Sequence, residues 1–459
     1  MSQQDHLSWL NALPEAFQTY RNGRKVDEVE CIIPDLAGMS RGKAMPLSKF
    51  SPGHTLFLPI SIFYQTITGE DVEMDIENQW AEGDMVLKPD MSTAMAVPWA
   101  KEATLQIIHD LVDQKGEPVK YAPRNVLKRV IELYNAQGWA PIIAPELEFY
   151  LIKPNVDPNE PIQPPVGRTG RSGSGRQSYS MSAVDEYGPV IDTIYDYAED
   201  AGLRIDTVIQ EDGAGQVEIN LSHADPLLLA DQVFYFKRII REAALNNGMF
   251  ATFMAKPMRD EPGSAMHIHQ SILDIKTGKN IFSNENGEAS EHFFHFIGGS
   301  QKYLKQVMPL MAPNVNSYKR FESDTNSSAP TNMAWGYDNR ATGLRVPNSK
   351  SQDRRLENRI VGVDSNPYLS IAASLICGYL GLINNIKPQA PAAGEIEDDT
   401  DALPKTLDEA LAIFAEADDV HKVLGEDFCH VFEAVKREEM RQYHREISPW
   451  EREHLLLNV

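Results

Sequence analysis

The sequence predicts an α+β chain in two parts: a small strand-rich domain over residues 1–120 and a larger domain of strands and helices over 121–459. Three observations carry that prediction. Short apolar runs alternate with turns from Glu28 to Trp99, as in "VECIIPDLAG", "RGKAMPL", "TLFLPISIF" and "DMVLKPD". A helix with a clean apolar stripe (Val126, Leu127, Val130, Ile131, Leu133) then opens after Pro123. Beyond it, strand-like segments with ionisable residues at period two are interleaved with long helices.

Residues 1–20 read as a short amphipathic helix, and the domain boundary falls near Tyr121. "APELEFYL" around Glu146 reads as a buried strand, and the Gly/Ser/Arg-rich "GRTGRSGSGRQSYS" as a loop. A helix follows near 188–202, and "TVIQEDGAGQVEINL" gives two strands joined by a Gly-containing turn. "PLLLADQVFYFKRIIREAALNNG" is a helix ending on Gly248. "ATFMAKPM", "SAMHIHQSIL", "ATGLRVP" and "RRLENRIVG" supply further strands. "SNPYLSIAASLICGYLGLINNI" is long enough to raise the membrane question, but Ser, Asn and Gly punctuate it and no basic flank precedes it, so it reads as a buried helix. "GEIEDDTDALP" is an acidic surface linker, and the chain from about Thr406 is helical.

A net charge of −23 argues against nucleic acid, whose phosphates demand an excess of Lys and Arg. The three cysteines, Cys31, Cys377 and Cys429, form no CxxC pair, so neither a disulfide framework nor a thiolate metal site is implied. The N-terminus lacks a basic stretch followed by an apolar run, so the expected compartment is the cytoplasm, with no membrane partner. "GMSRGKA" superficially resembles a phosphate loop. It lacks the four-residue gap between glycines, and Ala44 stands where a magnesium-holding hydroxyl is needed.

Residues two apart on a strand share a face. Glu146 and Glu148 therefore point the same way, as do His267 and His269. Arg355, Glu357 and Arg359 project together from "RRLENRI", and Glu211 and Glu218 lie on adjoining strands around the turn at Gly213–Gly215. Alone, "RRLENRI" reads as a salt-bridge ladder and "HIH" as core histidines. Together, four strands presenting five glutamates and two histidines, with no thiolate, read as oxygen-dominated ligation of Mg²⁺ or Mn²⁺. Hard cations beside several arginines are suited to handling phosphate charge.

At this point the sequence resembles the glutamine synthetase family over nearly its whole length. The motifs are "APELEFYL", "QEDGAGQVEINL", "KPMRDEPGSAMHIHQS", "NSYKRF", "NRATGLRVP", "RRLENRIVGVDSNPYL" and "ISPWEREHLLL", in the family's order. The resemblance implies a β-grasp-like N-terminal domain and a catalytic domain with a curved antiparallel sheet and helices. It also implies a dodecamer of two stacked hexameric rings, with sites between neighbouring subunits. By position, Glu148, Glu211 and Glu218 resemble ligands of the metal on the amino-acid side, and Glu146, His267 and Glu357 those of the metal on the nucleotide, with two or three ions per site. His269 and Ser271 fall where the family contacts ATP, and Arg345 and Arg355 match its phosphate arginines. Arg320 and Arg359 match the grip on the glutamate carboxylate, Gly263 another contact to glutamate, and Arg340 the group facing the transferred phosphoryl. The implied reaction forms γ-glutamyl phosphate and ADP, after which a nitrogen nucleophile displaces phosphate.

The chain also departs from the ammonia-using pattern. Leu58 in "FLPISIF" occupies the position of an acid in the family's "FDGSS"-like stretch, and only Ser61 survives from that motif. Ser328 precedes Ala329-Pro330 where a second acid is usual, with Glu322 or Asp324 as substitutes if the register slips. Apolar Leu58, Pro59 and Ile60 suit the methylene chain of a larger amine, which points to the γ-glutamylpolyamine synthetase branch, joining glutamate to putrescine or a related amine in amine catabolism. On this view Leu58→Asp should favour ammonium. Pro262-Gly263 replaces the usual Asn-Gly, and "AAGEIEDDTDALP" lacks the tyrosine that some relatives modify. The alternatives are an ammonia-using glutamine synthetase and a catalytically silent scaffold.

Overall fold

A computed structural model of the chain describes residues 5–74, 79, 83–173, 175, 177–322, 329–394, 396 and 402–459. The first part of the chain builds one sheet from β1 (Val26–Pro34), β2 (Ser40–Pro46), β3 (Leu56–Pro59), β4 (Asp84–Pro89), β5 (Met95–Ala96) and β6 (Ala103–Val112). Its order is β2-β1-β6-β4-β3, with β5 also on β6. β1 and β6 run parallel and the other pairs antiparallel. The strand-rich reading from Glu28 to Trp99 stops short of β6, which lies at the centre. Its residues Ala103–His109 are all buried, so no in–out alternation marks them. At the sheet edge, β3 alternates: Leu56 and Leu58 face the core, Phe57 and Pro59 face out. The N-terminal helix is broken into a 3₁₀ stretch, Asp5–Ala12, and an α-helix, Glu15–Tyr20, with Pro14 between them.

The second sheet is formed by β7 (Trp139–Ile152), β8 (Ile205–Gln210), β9 (Gln216–Leu221), β10 (Phe250–Thr252), β11 (Met266–Asp274), β12 (Trp335–Tyr337), β13 (Leu344–Val346) and β14 (Leu356–Asn358). Its order is β12-β13-β14-β11-β7-β9-β8, with β10 also on β7. All pairs are antiparallel except β12–β13. β14 is only three residues long, so Arg355 and Arg359 flank it.

Helices Pro123–Ala136 and Pro226–Asn246 pack on β7, and both touch the helix Pro367–Ile383. Each starts with proline, whose missing N–H costs nothing at a first helical position. The Asp225 carboxylate accepts from the Leu227 and Leu228 amides, and the Asn366 side chain accepts from the Tyr368 amide. The long uncharged run is this last helix, buried from Pro367 to Leu382. Among the described residues no helix is long and apolar enough to cross a membrane. One contiguous apolar core runs through both sheets. A buried charge network ties them together. Arg124 bonds Asp231 at 2.8 Å and 2.9 Å, and also reaches Asp110 of β6 and Asp90 just after β4, while the Tyr368 hydroxyl donates to Asp231 at 2.6 Å.

Candidate active site

The site follows from register. β7 lies between β9 and β11, which sets Glu146 opposite His267 on one side and Asn220 on the other, and Glu148 opposite Glu218. β14 then sets Glu357 opposite His269, and β13 sets Arg345 opposite Glu357. Directly opposed side chains sit about 5 Å apart at Cβ. Alternation along each strand therefore becomes a continuous polar field across the sheet.

All six candidate metal ligands, Glu146, Glu148, Glu211, Glu218, His267 and Glu357, line one cavity of about 760 Å³. So do Arg320, Arg340, Arg345, Arg359 and Gly263. His269, Ser271 and Arg355 line an adjoining cavity of about 640 Å³, and Glu146 and Asn220 border both. His267 stands among the acids, 3.3 Å from Glu146, 3.8 Å from Glu148 and 3.9 Å from Glu357. His269 approaches Glu146 through Nε2 at 2.9 Å, and its Nδ1 accepts from Arg355 Nε at 3.1 Å. Two trios bring their donor atoms within 4.8 Å of one another: Glu146, His269 and Glu357; and Glu146, Glu218 and His267. The family pattern assigns His269 to ATP, yet its geometry also suits a ligand shared with Glu146.

The acids divide by environment. Burial, reinforced by the charge of Glu211, pushes the Glu148 carboxyl up to about 8. Burial, and then the charges of Glu148, Glu146 and Glu211, push Glu218 up to about 9. Burial raises Glu211 too, against the pull of Arg340. Glu146 goes the other way: burial opposes ionisation, but His267 and His269 outweigh it and hold the carboxyl well below the usual range. Glu357 is held at about 2 against the opposing effect of burial, by His267 and Arg359. It accepts from Arg345 at 2.7 Å and Arg359 at 2.8 Å. The salt-bridge reading of "RRLENRI" thus holds for Glu357 with Arg359, whereas Arg355 turns to His269.

Mutually repelling carboxylates with one or two imidazoles form a donor set that a hard divalent cation would satisfy. The residues present therefore fit such ions. The Nε atoms of Arg345 and Arg359 are buried without a hydrogen-bond partner among the described residues, so each retains a donor beside the cavity. Gly263 permits a close approach: a Cβ there would come 2.4 Å from Arg320 Cγ and 2.7 Å from the Ala255 carbonyl oxygen.

Two expected contacts are not brought to this cavity. Leu58 is 6% exposed and packs in the core of its own sheet, while Ser61 is half-buried in the following turn. The reading of Leu58 as a surface for the amine chain is therefore corrected, because strand alternation turns that side chain inward and turns Phe57 outward. The expectation for Leu58→Asp changes with it. The variant should lose stability in a thermal melt, because an acid is buried without a partner, and its choice between ammonium and amine should stay unchanged. A folded variant with a shifted preference would restore the original reading. Ser328 and Asp324 lie outside the described residues; Glu322 is exposed, and Ala329 and Pro330 line the cavity. Sequence reasoning missed Tyr179, Ile209 and Asn220 in the lining. Asn220 was within reach of the period-two rule, being two residues from Glu218, to which it donates at 3.1 Å.

The family model for the glutamine synthetase catalytic domain matches residues 120–455. The chain is 35% identical over 439 residues to gamma-glutamylputrescine synthetase of Escherichia coli (strain K12), covering 94% of this chain and 92% of that protein. It is also 35% identical to a glutamate–isopropylamine ligase of a Pseudomonas species, covering 81% and 82%. A solved GmaS/ADP complex superposes with a TM-score of 0.82 at 25% identity, covering 96% of this chain and 99% of the other.

Proposed function

Since the chain belongs to the glutamine synthetase family, we propose that it is an ATP-dependent ligase joining the γ-carboxylate of glutamate to an organic amine. The carrying observation is the single cavity that gathers six potential metal ligands and four arginines. Arg320 and Arg359 would orient the acid, and Arg340 would face the phosphoryl group in transfer from ATP. Arg345 and Arg355 would hold nucleotide phosphates, with His269 and Ser271 in the adjoining cavity on the nucleotide side. Glu148, Glu211 and Glu218 would hold one divalent cation, and Glu146, His267 and Glu357 another. When bound, Mg²⁺ or Mn²⁺ offsets phosphate charge during transfer. The glutamate carboxylate oxygen attacks the γ-phosphorus and ADP leaves. The amine nitrogen then attacks the γ-carbonyl, phosphate leaves, and the nitrogen gives up a proton. Apolar residues in the lining, among them Ile209, Ala329 and Pro330, would help keep water from the acyl phosphate.

An organic amine, rather than ammonium, is supported by the two relatives described above, both of which are named for organic amines. Assembly into two stacked hexameric rings belongs to the same reading, supported by the family match over nearly the whole chain. So does a cytoplasmic setting, supported by three free, buried cysteines. The test is ADP release with glutamate, ATP and Mg²⁺ across ammonium, putrescine, isopropylamine and ethanolamine, with products weighed by mass spectrometry. At least one organic amine should outpace ammonium at equal millimolar concentration. Ammonium faster than every amine would mark a glutamine synthetase, and no turnover with any donor would mark a silent scaffold.

A further inference from the structure

The hold on the acid substrate depends on how Arg320 is itself held. Arg320 rides on a short 3₁₀ turn, Ser317–Phe321, and is 2% exposed. Its guanidinium donates to the Ile360 carbonyl, one residue beyond Arg359. Burial lowers its pKa to about 10, and the neighbouring Arg359 pushes the same way while Glu148 and Asp364 oppose. Two guanidinium groups at close quarters need an external scaffold and a compensating charge.

Glu148 is the larger compensating charge, and Asp364 supplies the scaffold. Its Oδ2 accepts from Ser317 Oγ at 2.6 Å and from Asn314 Nδ2 at 2.8 Å, which ties down the start of the turn. Ser317 Oγ in turn accepts from the Asn314 amide at 3.0 Å. The Asp364 backbone is pinned from the opposite side. Lys237, a buried residue of the helix Pro226–Asn246, donates from Nζ to the Val363 carbonyl at 2.6 Å and the Ser365 carbonyl at 3.0 Å. The two carbonyls that flank Asp364 are thus clamped by one side-chain nitrogen. Asp364, Ser317, Asn314 and Lys237 line neither cavity.

We propose that Asp364, clamped by Lys237, is a positioning residue for the acid substrate: it fixes the Ser317–Phe321 turn and so aims Arg320 at the substrate carboxylate. This inference rests on the role proposed for Arg320. A purely structural role would lower stability and kcat for all substrates alike. A positioning role acts selectively on the acid, because the residues proposed for ATP, His269, Ser271, Arg345 and Arg355, are not held by the Ser317–Phe321 turn.

The experiment compares steady-state constants and thermal melts of the full-length protein with those of Asp364→Ala, Asp364→Asn and Arg320→Gln. Arg320→Gln tests the underlying reading, and its KM for glutamate should rise about 100-fold, the range lost with a charged hydrogen-bond partner. Asp364→Ala should raise the KM for glutamate about 10-fold and leave the KM for ATP and for the amine within about twofold, corresponding to the loss of roughly one hydrogen bond's worth of aim. Asp364→Asn keeps an acceptor for Ser317 and Asn314 and should recover most of that loss, which also covers the case in which the alanine variant fails to fold. An unchanged glutamate KM in Asp364→Ala, with Arg320→Gln impaired, overturns the positioning role alone. Equal rises in all three KM values, or an asparagine variant as impaired as the alanine one, also overturn it. An unimpaired Arg320→Gln overturns the Arg320 assignment instead.

Discussion

Replacing Glu357 is expected to stop ADP formation, with a loss on the order of 10³-fold or more in kcat. The carboxylate is 1% exposed and stands where three demands meet. It accepts from Arg345 and from Arg359, and lies 3.9 Å from His267 and in one donor trio with Glu146 and His269. Removing it takes a ligand from the proposed nucleotide-side ion and frees two arginines from their shared anchor. Alanine also takes the bonded carboxylate from buried Arg359, a defect worth about 3–5 kcal/mol in buried pairs, while half-buried Arg345 keeps Asp338. Glutamine is the sharper probe. It keeps the shape and an acceptor for one of the two arginines while losing the charge, so the fold should suffer less than with alanine. The check is ADP release alongside a thermal melt and size-exclusion elution for both variants. Turnover near normal in a folded Glu357→Gln would remove this residue from the chemistry.

Much of this site was legible because strands convert sequence spacing directly into direction. Glu146 with Glu148, His267 with His269, and Glu357 with its flanking arginines each share a face by period alone. Which strands lie side by side is a different kind of information. The placement of β7 between β9 and β11 joins segments more than fifty residues apart, and no local spacing encodes it. Family order supplied that step here. Where it was applied one residue at a time it was less dependable. Leu58 matched an acid by alignment, yet the pleat of β3 turns it into the core. The centre of the first sheet was missed for the converse reason, since β6 is buried on both faces and carries no alternation to detect. The Asp364–Ser317 tie was hidden too, because a carboxylate accepting from a distant turn leaves no periodic mark.

Magnesium is expected to stabilise the protein more at pH 9 than at pH 6, and the raised acids set the sign. Glu148 at about 8 and Glu218 at about 9 have folded-state pKa values above those of an unfolded glutamate. Without an ion, the folded chain therefore holds protons on them that the unfolded chain has released. The stability this provides is complete below about pH 4.5 and is lost as pH rises through 8 and 9. Glu357, held at about 2, behaves oppositely: its contribution is present above the unfolded value and is lost only as pH falls toward 2. Between pH 6 and 9 the two raised acids dominate the site's share of the slope. An ion that binds their ionised forms must displace protons at pH 6 but few at pH 9, so its affinity and its effect on Tm grow with pH. General repulsion from a net charge of −23 also lowers Tm at high pH, so the informative comparison is with Glu218→Gln. In that variant the melting temperature of the metal-free protein should fall less steeply from pH 6 to 9, and the extra rise on adding Mg²⁺ at pH 9 should shrink. A magnesium-induced shift in Tm of equal size at both pH values, or a slope unaltered by Glu218→Gln, would show that these carboxylates do not form the ion's binding site.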